Sequence, residues 1–338
     1  MANNKNIFNS YPSFPSTRMR RNRQFGWSRR LVRENHLSVD DLIWPIFVTE
    51  NKKTEIKTMP GVYRIPLTEI ADIVDEAQSY GIPAIALFPE TNPNIKDDKG
   101  SEALNSSNII CEATRIIKKQ FKSIGIITDV ALDPYTNHGH DGILKNNEIL
   151  NDETLEILSQ QALNQTKAGA DIIAPSDMMD GRINHIRCEL DKNGFKNTLI
   201  MSYAAKYASY FYGPFRNAIG SEKNLSEKSK KSYQMDFSNT DEALREVQLD
   251  ISEGADMIMV KPGMPYLDII HRIKSEFNMP TFAYQVSGEY SMISSAVKNN
   301  YFSAETIIES LMCFKRAGAN GILTYFALEV AKILYENK

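Results

Sequence analysis

Three tripeptides recur at the same kind of place in this 338-residue chain: Gly169-Ala170-Asp171, Gly254-Ala255-Asp256 and Gly318-Ala319-Asn320. Each stands between a stretch with helical periodicity and a stretch that reads as a buried strand. Glycine just past a helix C-terminus adopts positive φ without strain, and small alanine then lets the chain pass closely into a sheet. The same junction used three times predicts repeated strand–helix units, not two unrelated domains. Strands are predicted at residues 42–48, 84–88, 124–130, 171–174, 198–202, 255–260, 281–286 and 321–325. Helical patterns cover residues 67–80, 101–119 and 152–167, the last with Asn151 or Asp152 as N-cap. About eight such units across roughly 300 residues is what a (β/α)8 TIM barrel requires. The alternative, a doubly wound open sheet, usually carries a glycine-rich phosphate loop after its first strand, and residues 44–50 contain no glycine.

The catalytic barrel is expected over residues 36–338. Residues 1–35 differ from it: they are polar, rich in Asn, Ser and Pro, and carry a basic cluster from Arg18 to Arg33. A basic arm that docks on a neighbouring subunit fits this stretch better than a nucleic-acid contact, because the whole chain has a net charge of -3. The three cysteines, Cys111, Cys188 and Cys313, are far apart and form neither a disulfide framework nor a metal cluster, which suits a reducing, cytoplasmic setting. The N-terminus has no apolar signal region, and no apolar run is long enough to span a bilayer, so neither a membrane nor nucleic acid is an expected partner.

In a barrel the strand ends and following loops form the active face, and here they are rich in reactive groups. The sixth strand leads directly into Lys261, and Pro262-Gly263 then turns the chain. A lysine at a buried strand end loses water, its pKa falls, and the neutral amine can attack a ketone to form a Schiff base. It can also simply snorkel to solvent. Lys206, after the fifth strand and among Tyr203, Tyr207, Tyr210 and Tyr212, brings a second ammonium to the same face. Two ammonium groups in one cleft repel, which favours the neutral amine. Arg216 adds a planar fork suited to a carboxylate. Residues 129–142 hold Asp129, Asp133, Asp141, His138 and His140, which suit either a hard cation or a polar loop with hydrogen-bonded carboxylates. Ser176-Asp177 opens the next loop, where Asp can act as an N-cap. Residues 220–233, polar and aperiodic, read as an active-site lid. Ser287 and Tyr325 complete the ring with neutral hydrogen-bond donors.

Taken together, residues 259–268 (MVKPGMPYLD), 202–216, 174–182 and 129–142 closely resemble the delta-aminolevulinic acid dehydratase, or porphobilinogen synthase, family, and the similarity runs from residue 16 to 327. The resemblance implies a lyase that condenses two 5-aminolevulinate molecules to porphobilinogen, with loss of two waters, in tetrapyrrole and haem synthesis. It implies a barrel whose N-terminal arm embraces a neighbour in a homo-octamer. Lys261 matches the Schiff-base lysine for the substrate that forms the propionate side, and Lys206 the lysine that engages the acetate-side substrate. Arg216, Lys230 and Gln234 match the carboxylate clamp for the second substrate, and Lys230 stands where many relatives have arginine. Ser287 and Tyr325 match the pair that holds the first substrate's carboxylate, and Asp129 and Ser176 the groups that orient substrate amines.

The metal loop departs from the zinc-dependent members. Where they have cysteines this chain has Ala131, Asp133 and Asp141, so the resemblance implies no catalytic Zn²⁺. It points instead to the magnesium-responsive members, with Glu246 at an allosteric Mg²⁺ site and a monovalent cation as a further candidate. Read without the resemblance, Glu246 is an acid on a solvated helix face. A class I aldolase on the same barrel would need only one imine lysine and usually a phosphate cradle, which the loops lack.

Overall fold

The computed structural model describes residues 13–219 and 229–336, and it divides at His36 and Leu37 into two compact units. In the first unit the sequence predicts little regular structure, yet a short helix forms at Gly26–Leu31 after a 3-10 turn at Met19–Arg23. The Ser28 hydroxyl stitches the two by donating to the carbonyls of Asn22 and Phe25 at 3.0 and 2.9 Å. Phe25 and Trp27 stack with their ring centroids 6.1 Å apart, and both remain more than half exposed.

The second unit is built on eight parallel strands: β1 Leu42–Thr49, β2 Ala84–Glu90, β3 Gly125–Val130, β4 Ile172–Pro175, β5 Leu199–Lys206, β6 Met257–Lys261, β7 Thr281–Gln285 and β8 Gly321–Thr324. They pair in chain order, and β8 closes on β1 with Leu42 opposite Ile322 and Ile43 opposite Leu323, making the predicted (β/α)8 TIM barrel. Around it run α1 Ile70–Ser79, α2 Ile109–Gln120, α3 Asn151–Ala168, α4 Arg182–Lys192, α5 Asp241–Ser252, α6 Leu267–Phe277, α7 Ser287–Lys298, α8 Glu305–Ala317 and α9 Ala327–Glu336. The strands are covered by helices outside and packed side chains inside, which is why they read as continuous apolar runs without alternation. Among the described residues no helix is long and apolar enough to cross a membrane.

The repeated tripeptides do more than terminate helices. Gly169, Gly254 and Gly318 all take φ near +110°, at 113, 107 and 107°, and a long basic side chain of the preceding units lies over each: Lys118, Arg187 and Lys274. The third residue then seals the foot of the previous strand. Asp171 accepts from the Ile126 N–H at 2.8 Å, Asp256 from Ile200 at 2.8 Å and Asn320 from Thr281 at 3.0 Å. Their own N–H groups return bonds to the carbonyls of the same three residues. Strand starts in a closed barrel have no further ladder partner, so these side chains satisfy buried backbone groups that would otherwise be orphaned.

Three boundaries differ from the sequence reading. The helical pattern at 101–119 is broken into a 3-10 turn, Ser101–Leu104, and α2, because the Asn108 side chain caps the N–H groups of Ile110 and Cys111 at 3.1 and 3.0 Å. Neither Asn151 nor Asp152 caps α3, whose N-cap is Leu150; Asn151 instead accepts from the Asp180 N–H at 2.8 Å and fixes the loop after β4. Strand β5 runs four residues beyond 202, so Lys206 is the last residue of the strand and not part of the loop.

Replacing Asp256 by alanine leaves the buried Ile200 N–H without its acceptor. The expected cost is about 1–3 kcal/mol, read as a lower guanidinium midpoint for Asp256→Ala than for the parent chain.

Candidate active site

Strands β5 and β6 both end in lysine, and the barrel register sets the two Cα atoms opposite each other, Lys206 against Lys261. A local irregularity produces this match. Ile258 pairs with Ser202, but Val260 pairs with Ala205, so β5 gains one residue between them. Without that bulge Ala205 would stand opposite Lys261. An extra residue in one strand re-aims the side chains that follow it, and here it delivers the second amine.

Lys261 lies in a cage of aromatic faces. Its Nζ is 4.7 Å from the Tyr284 ring centroid, 4.9 Å from Tyr203, 5.1 Å from Phe215 and 5.6 Å from Tyr212. Desolvation, reinforced by the ammonium of Lys206, lowers its pKa to about 7, against the opposing pull of Asp129, Asp133 and Asp141. A substantial fraction is therefore neutral amine at neutral pH, as the strand-end placement predicts. The main chain here is held as firmly as the side chain: the Lys261 carbonyl accepts from the Tyr212 hydroxyl at 3.0 Å and the Tyr207 N–H at 2.9 Å.

Asp129 is the carboxylate that faces both lysines. Burial pushes its pKa up to about 6, while Lys261, Lys206 and a hydrogen bond with Ser176 pull it down. Its Oδ1 is shielded from solvent and has no partner among the described residues. Lys206 contacts Asp141 Oδ1 at 3.4 Å and donates a short hydrogen bond to the carbonyl of Ser176. Asp141 would be raised by burial, but Lys206, Lys230 and the Tyr233 hydroxyl together hold it well below the ordinary carboxylate range.

Lys230, at the start of the 3-10 turn Lys230–Ser232, places its ammonium between Asp141 and Asp133, at 2.7 and 3.1 Å. Burial lowers its pKa, but the two carboxylates prevail and raise it, so it is a fixed positive charge. Gln234 is buried one turn further on, with its N–H bonded to the Lys230 carbonyl at 2.9 Å. The Tyr233 hydroxyl donates to Asp141 Oδ2 at 2.8 Å and meets His140 Nδ1 at 3.1 Å.

Opposite these groups, Tyr325 and Tyr284 share a hydrogen bond of 2.7 Å, and the Ser287 hydroxyl accepts from the Phe215 N–H at 2.9 Å. Ser287 thereby orients the helix Gly213–Ala218, which carries Arg216; the Arg216 side chain and residues 220–228 of the expected lid lie outside the described residues. Glu246 does not join this group. It sits half-buried on α5, lining a cavity of about 440 Å³ with Asp180, Glu242 and Lys231 that adjoins the site through Tyr233 and Gln234. Asp177 does not cap α4 either: it is buried 3.8 Å from Arg182, which is paired with Asp250 at 3.0 Å. The sequence places Tyr203 and Tyr212 around Lys206, whereas the structure turns them with Tyr284 and Phe215 toward Lys261. Tyr284 and Tyr233 are not singled out from sequence, although tyrosine within an otherwise apolar, fully buried strand is the signal that could have found Tyr284.

The family model for delta-aminolevulinic acid dehydratase matches residues 16–333 of this chain. The chain belongs to that family. It is 58% identical over 320 residues to the delta-aminolevulinic acid dehydratase of Bradyrhizobium diazoefficiens, covering 94% of this chain and 90% of the relative. The Rhodobacter capsulatus dehydratase is 48% identical over 326 residues, covering 96% and 98%. Among solved structures, the Toxoplasma gondii ME49 dehydratase in complex with the reaction product porphobilinogen superposes with a TM-score of 0.94 at 44% identity, over 95% of this chain and 92% of that one. The protein is thus a lyase of porphyrin and haem biosynthesis, condensing two 5-aminolevulinate molecules to porphobilinogen. Within this dehydratase, no group of three or more His, Cys, Asp or Glu is placed to hold a metal ion among the described residues.

The charge arrangement around Lys261 makes a directional prediction. Lys206→Met removes a like charge, so the pH at which Lys261 becomes reactive rises by about one pH unit. Asp129→Asn removes an opposite charge and lowers it. The check is mass-spectrometric labelling of Lys261 with an amine-acylating reagent as a function of pH, with the parent midpoint near 7.

Proposed function

We propose that Lys261 forms the imine with the substrate molecule whose carboxylate is received by Ser287 and Tyr325, and that Lys206 engages the second molecule. The observation that carries this reading is the pairing of two buried strand-end lysines across β5 and β6, with Lys261 alone inside an aromatic cage. Neutral Lys261 adds to the ketone and, with a proton delivered by Asp129, expels water, giving an iminium whose positive charge the ring faces of Tyr203, Tyr284, Phe215 and Tyr212 stabilise. That iminium makes the former ketone carbon the electrophile, and the nucleophile is the carbon between the ketone and the carboxymethyl arm of the second molecule, once it loses a proton. Asp129, with its pKa near 6 and an unpartnered oxygen, is the base we assign to receive the proton. The carbon–carbon bond forms between those two carbons, and Lys261 leaves as the free amine when loss of a further proton creates the ring double bond. A substrate amine closes the ring by forming the carbon–nitrogen bond, and the second water leaves.

Lys206 is held differently, by the Ser176 carbonyl and Asp141. It acts in this reading on the second molecule, whose carboxylate Arg216, Gln234 and Lys230 receive. In the described geometry Lys230 bridges Asp133 and Asp141, so it must exchange one of those partners for the substrate. The same ammonium provides the positive charge that a loop cation would supply in other members. With Ala131, Asp133 and Asp141 offering no thiolate, we assign no Zn²⁺ here, and a monovalent ion would meet carboxylates already neutralised.

Glu246 fits Mg²⁺ better. Desolvation raises its pKa, and Asp250, Asp180 and Glu242 add to the rise against the pull of Arg182. A small divalent ion that retains most of its waters and takes one or two carboxylates would relieve that repulsion. Its place in the cavity that α5 shares with residues 231–235 suits a regulatory charge that reaches the substrate clamp through Gln234. For the assembly we propose a homo-octamer, supported by the exposed Phe25–Trp27 stack in the N-terminal unit. For its setting we propose the cytoplasm, supported by three unpaired cysteines.

Lys261→Ala and Lys261→Arg are each expected to lower porphobilinogen formation by roughly a thousandfold or more, since arginine keeps the charge but cannot form an imine. Comparable turnover in either variant would sink the mechanism. For the metal, Glu246→Ala is expected to abolish both the heat of Mg²⁺ binding in calorimetry and the rise in activity when Mg²⁺ is restored to chelator-treated protein. Retention of both would move the ion elsewhere.

A further inference from the structure

Glu289 is wholly buried, and among the described residues its carboxylate is answered by backbone N–H groups. Its Oε2 accepts from Val286 at 2.7 Å and from Gly263 at 3.2 Å, and its Oε1 accepts from Met264 at 2.6 Å. The first of these contacts is local, from the N-cap residue of α7 on which Glu289 stands. The other two cross to the turn that follows Lys261. One side chain therefore ties the turn that follows Lys261 at the end of β6 to the start of α7, where Ser287 stands. Burial of a carboxylate with no cation beside it among the described residues is costly, and its pKa is pushed up to about 7 in spite of the three donors. A core glutamate kept at that cost calls for a reason beyond helix capping, which an exposed Glu would perform as well.

The surroundings close a circuit. At Gly263 a side chain would stand 2.5 Å from the Phe314 ring and 2.9 Å from the Tyr284 carbonyl, so the turn is pressed against β7 and its N–H is aimed. At Gly288 a side chain would stand 2.5 Å from the Phe211 carbonyl oxygen, so the start of α7 rests directly on the backbone at 211. Ser287 binds the Phe215 N–H from the same segment. Tyr212, in that segment, donates to the Lys261 carbonyl at 3.0 Å. From Lys261 the path thus runs through Gly263 and Met264 to Glu289, then through Ser287 to Phe211–Phe215, and back to Lys261.

We propose that Glu289 is a positioning residue that sets the separation between the Lys261 amine and the Ser287 hydroxyl, and so selects a ketone whose carboxylate lies a fixed number of carbons away. This deepens the Schiff-base reading above and rests on it. In 5-aminolevulinate the ketone carbon is separated from the carboxyl carbon by two methylenes. The clamp matches the site to that spacing. Without it, imine formation continues, but the benefit of anchoring the carboxylate is lost because the two anchor points no longer hold one geometry.

The test uses borohydride reduction of the whole protein with three ketones: 4-oxopentanoate, which has the substrate's spacing; 5-oxohexanoate, one methylene longer; and 2-pentanone, which has no carboxylate. Adducts on Lys261 are quantified by peptide mass spectrometry. Two variants are compared with the parent. Glu289→Gln turns an N–H toward donors that need an acceptor; Glu289→Asp keeps the charge and the contact with Val286 but withdraws from Gly263 and Met264. Folding is followed by circular dichroism, and the aspartate variant carries the test if the amide does not fold. The expected result is that the preference for 4-oxopentanoate over both other ketones falls about tenfold, while the pH midpoint of trapping stays that of the parent. Equal losses for all three ketones, or an unchanged preference, would overturn the proposal and leave Glu289 as a helix cap. Absence of any Lys261 adduct in the parent protein would strike the Schiff-base reading itself, a result distinct from either.

Discussion

The removal of water from the Lys261 ammonium is the constraint on which the rest of the site depends. An isolated buried cation is expensive, and a protein lowers that cost by pairing the charge or by surrendering the proton. Here four aromatic rings line the amine, and the carboxylate that pulls on it most, Asp129, also acts on Lys206. The aromatic faces do not satisfy an ammonium as a carboxylate would, so the balance tips toward neutral amine. The same faces become favourable again once the charge is carried by a larger, softer iminium.

Lys206 and Lys230 illustrate the opposite solution a few residues away. Both are buried, yet Asp141, Asp133 and the Ser176 carbonyl give them direct oxygen partners. Three lysines in one cleft thus take two chemical characters, decided by whether oxygen or carbon surrounds the nitrogen. Asp141 is the pivot, since it touches both Lys206 and Lys230 and is fixed from its other side by Tyr233. A carboxylate so engaged cannot also serve as a proton carrier, which leaves that task to Asp129.

Much of this was legible in the chain, and what was not has identifiable causes. The strand–helix repeat, the closing of helices at Gly169, Gly254 and Gly318, and the position of Lys261 follow from local rules about positive φ and apolar runs, which a sequence displays directly. The sequence reading ends β5 at residue 202, four residues early, because what keeps residues 203–206 extended is pairing with β6, which no local signal displays. The bulge, the bridging of two aspartates by Lys230 and the grip of Glu289 on Gly263 and Met264 join residues far apart in the chain. No window of sequence contains both ends of such a contact. Asp177 and Asn151 were placed as helix caps by type, and the tertiary structure gave them other backbone and ionic partners.

The extra residue in β5 has a consequence for how such a site can change over time. Phase along a strand is counted in whole residues, so no exchange of one amino acid for another can slide Lys206 out of line with Lys261 or bring a replacement into line. Only gain or loss of a residue between Ser202 and Ala205 does that, and either one shifts everything beyond it at once. Genetic drift by substitution therefore explores the lining of the cleft freely while the spacing of its two amines stays locked, as a gear tooth count is untouched by polishing the teeth.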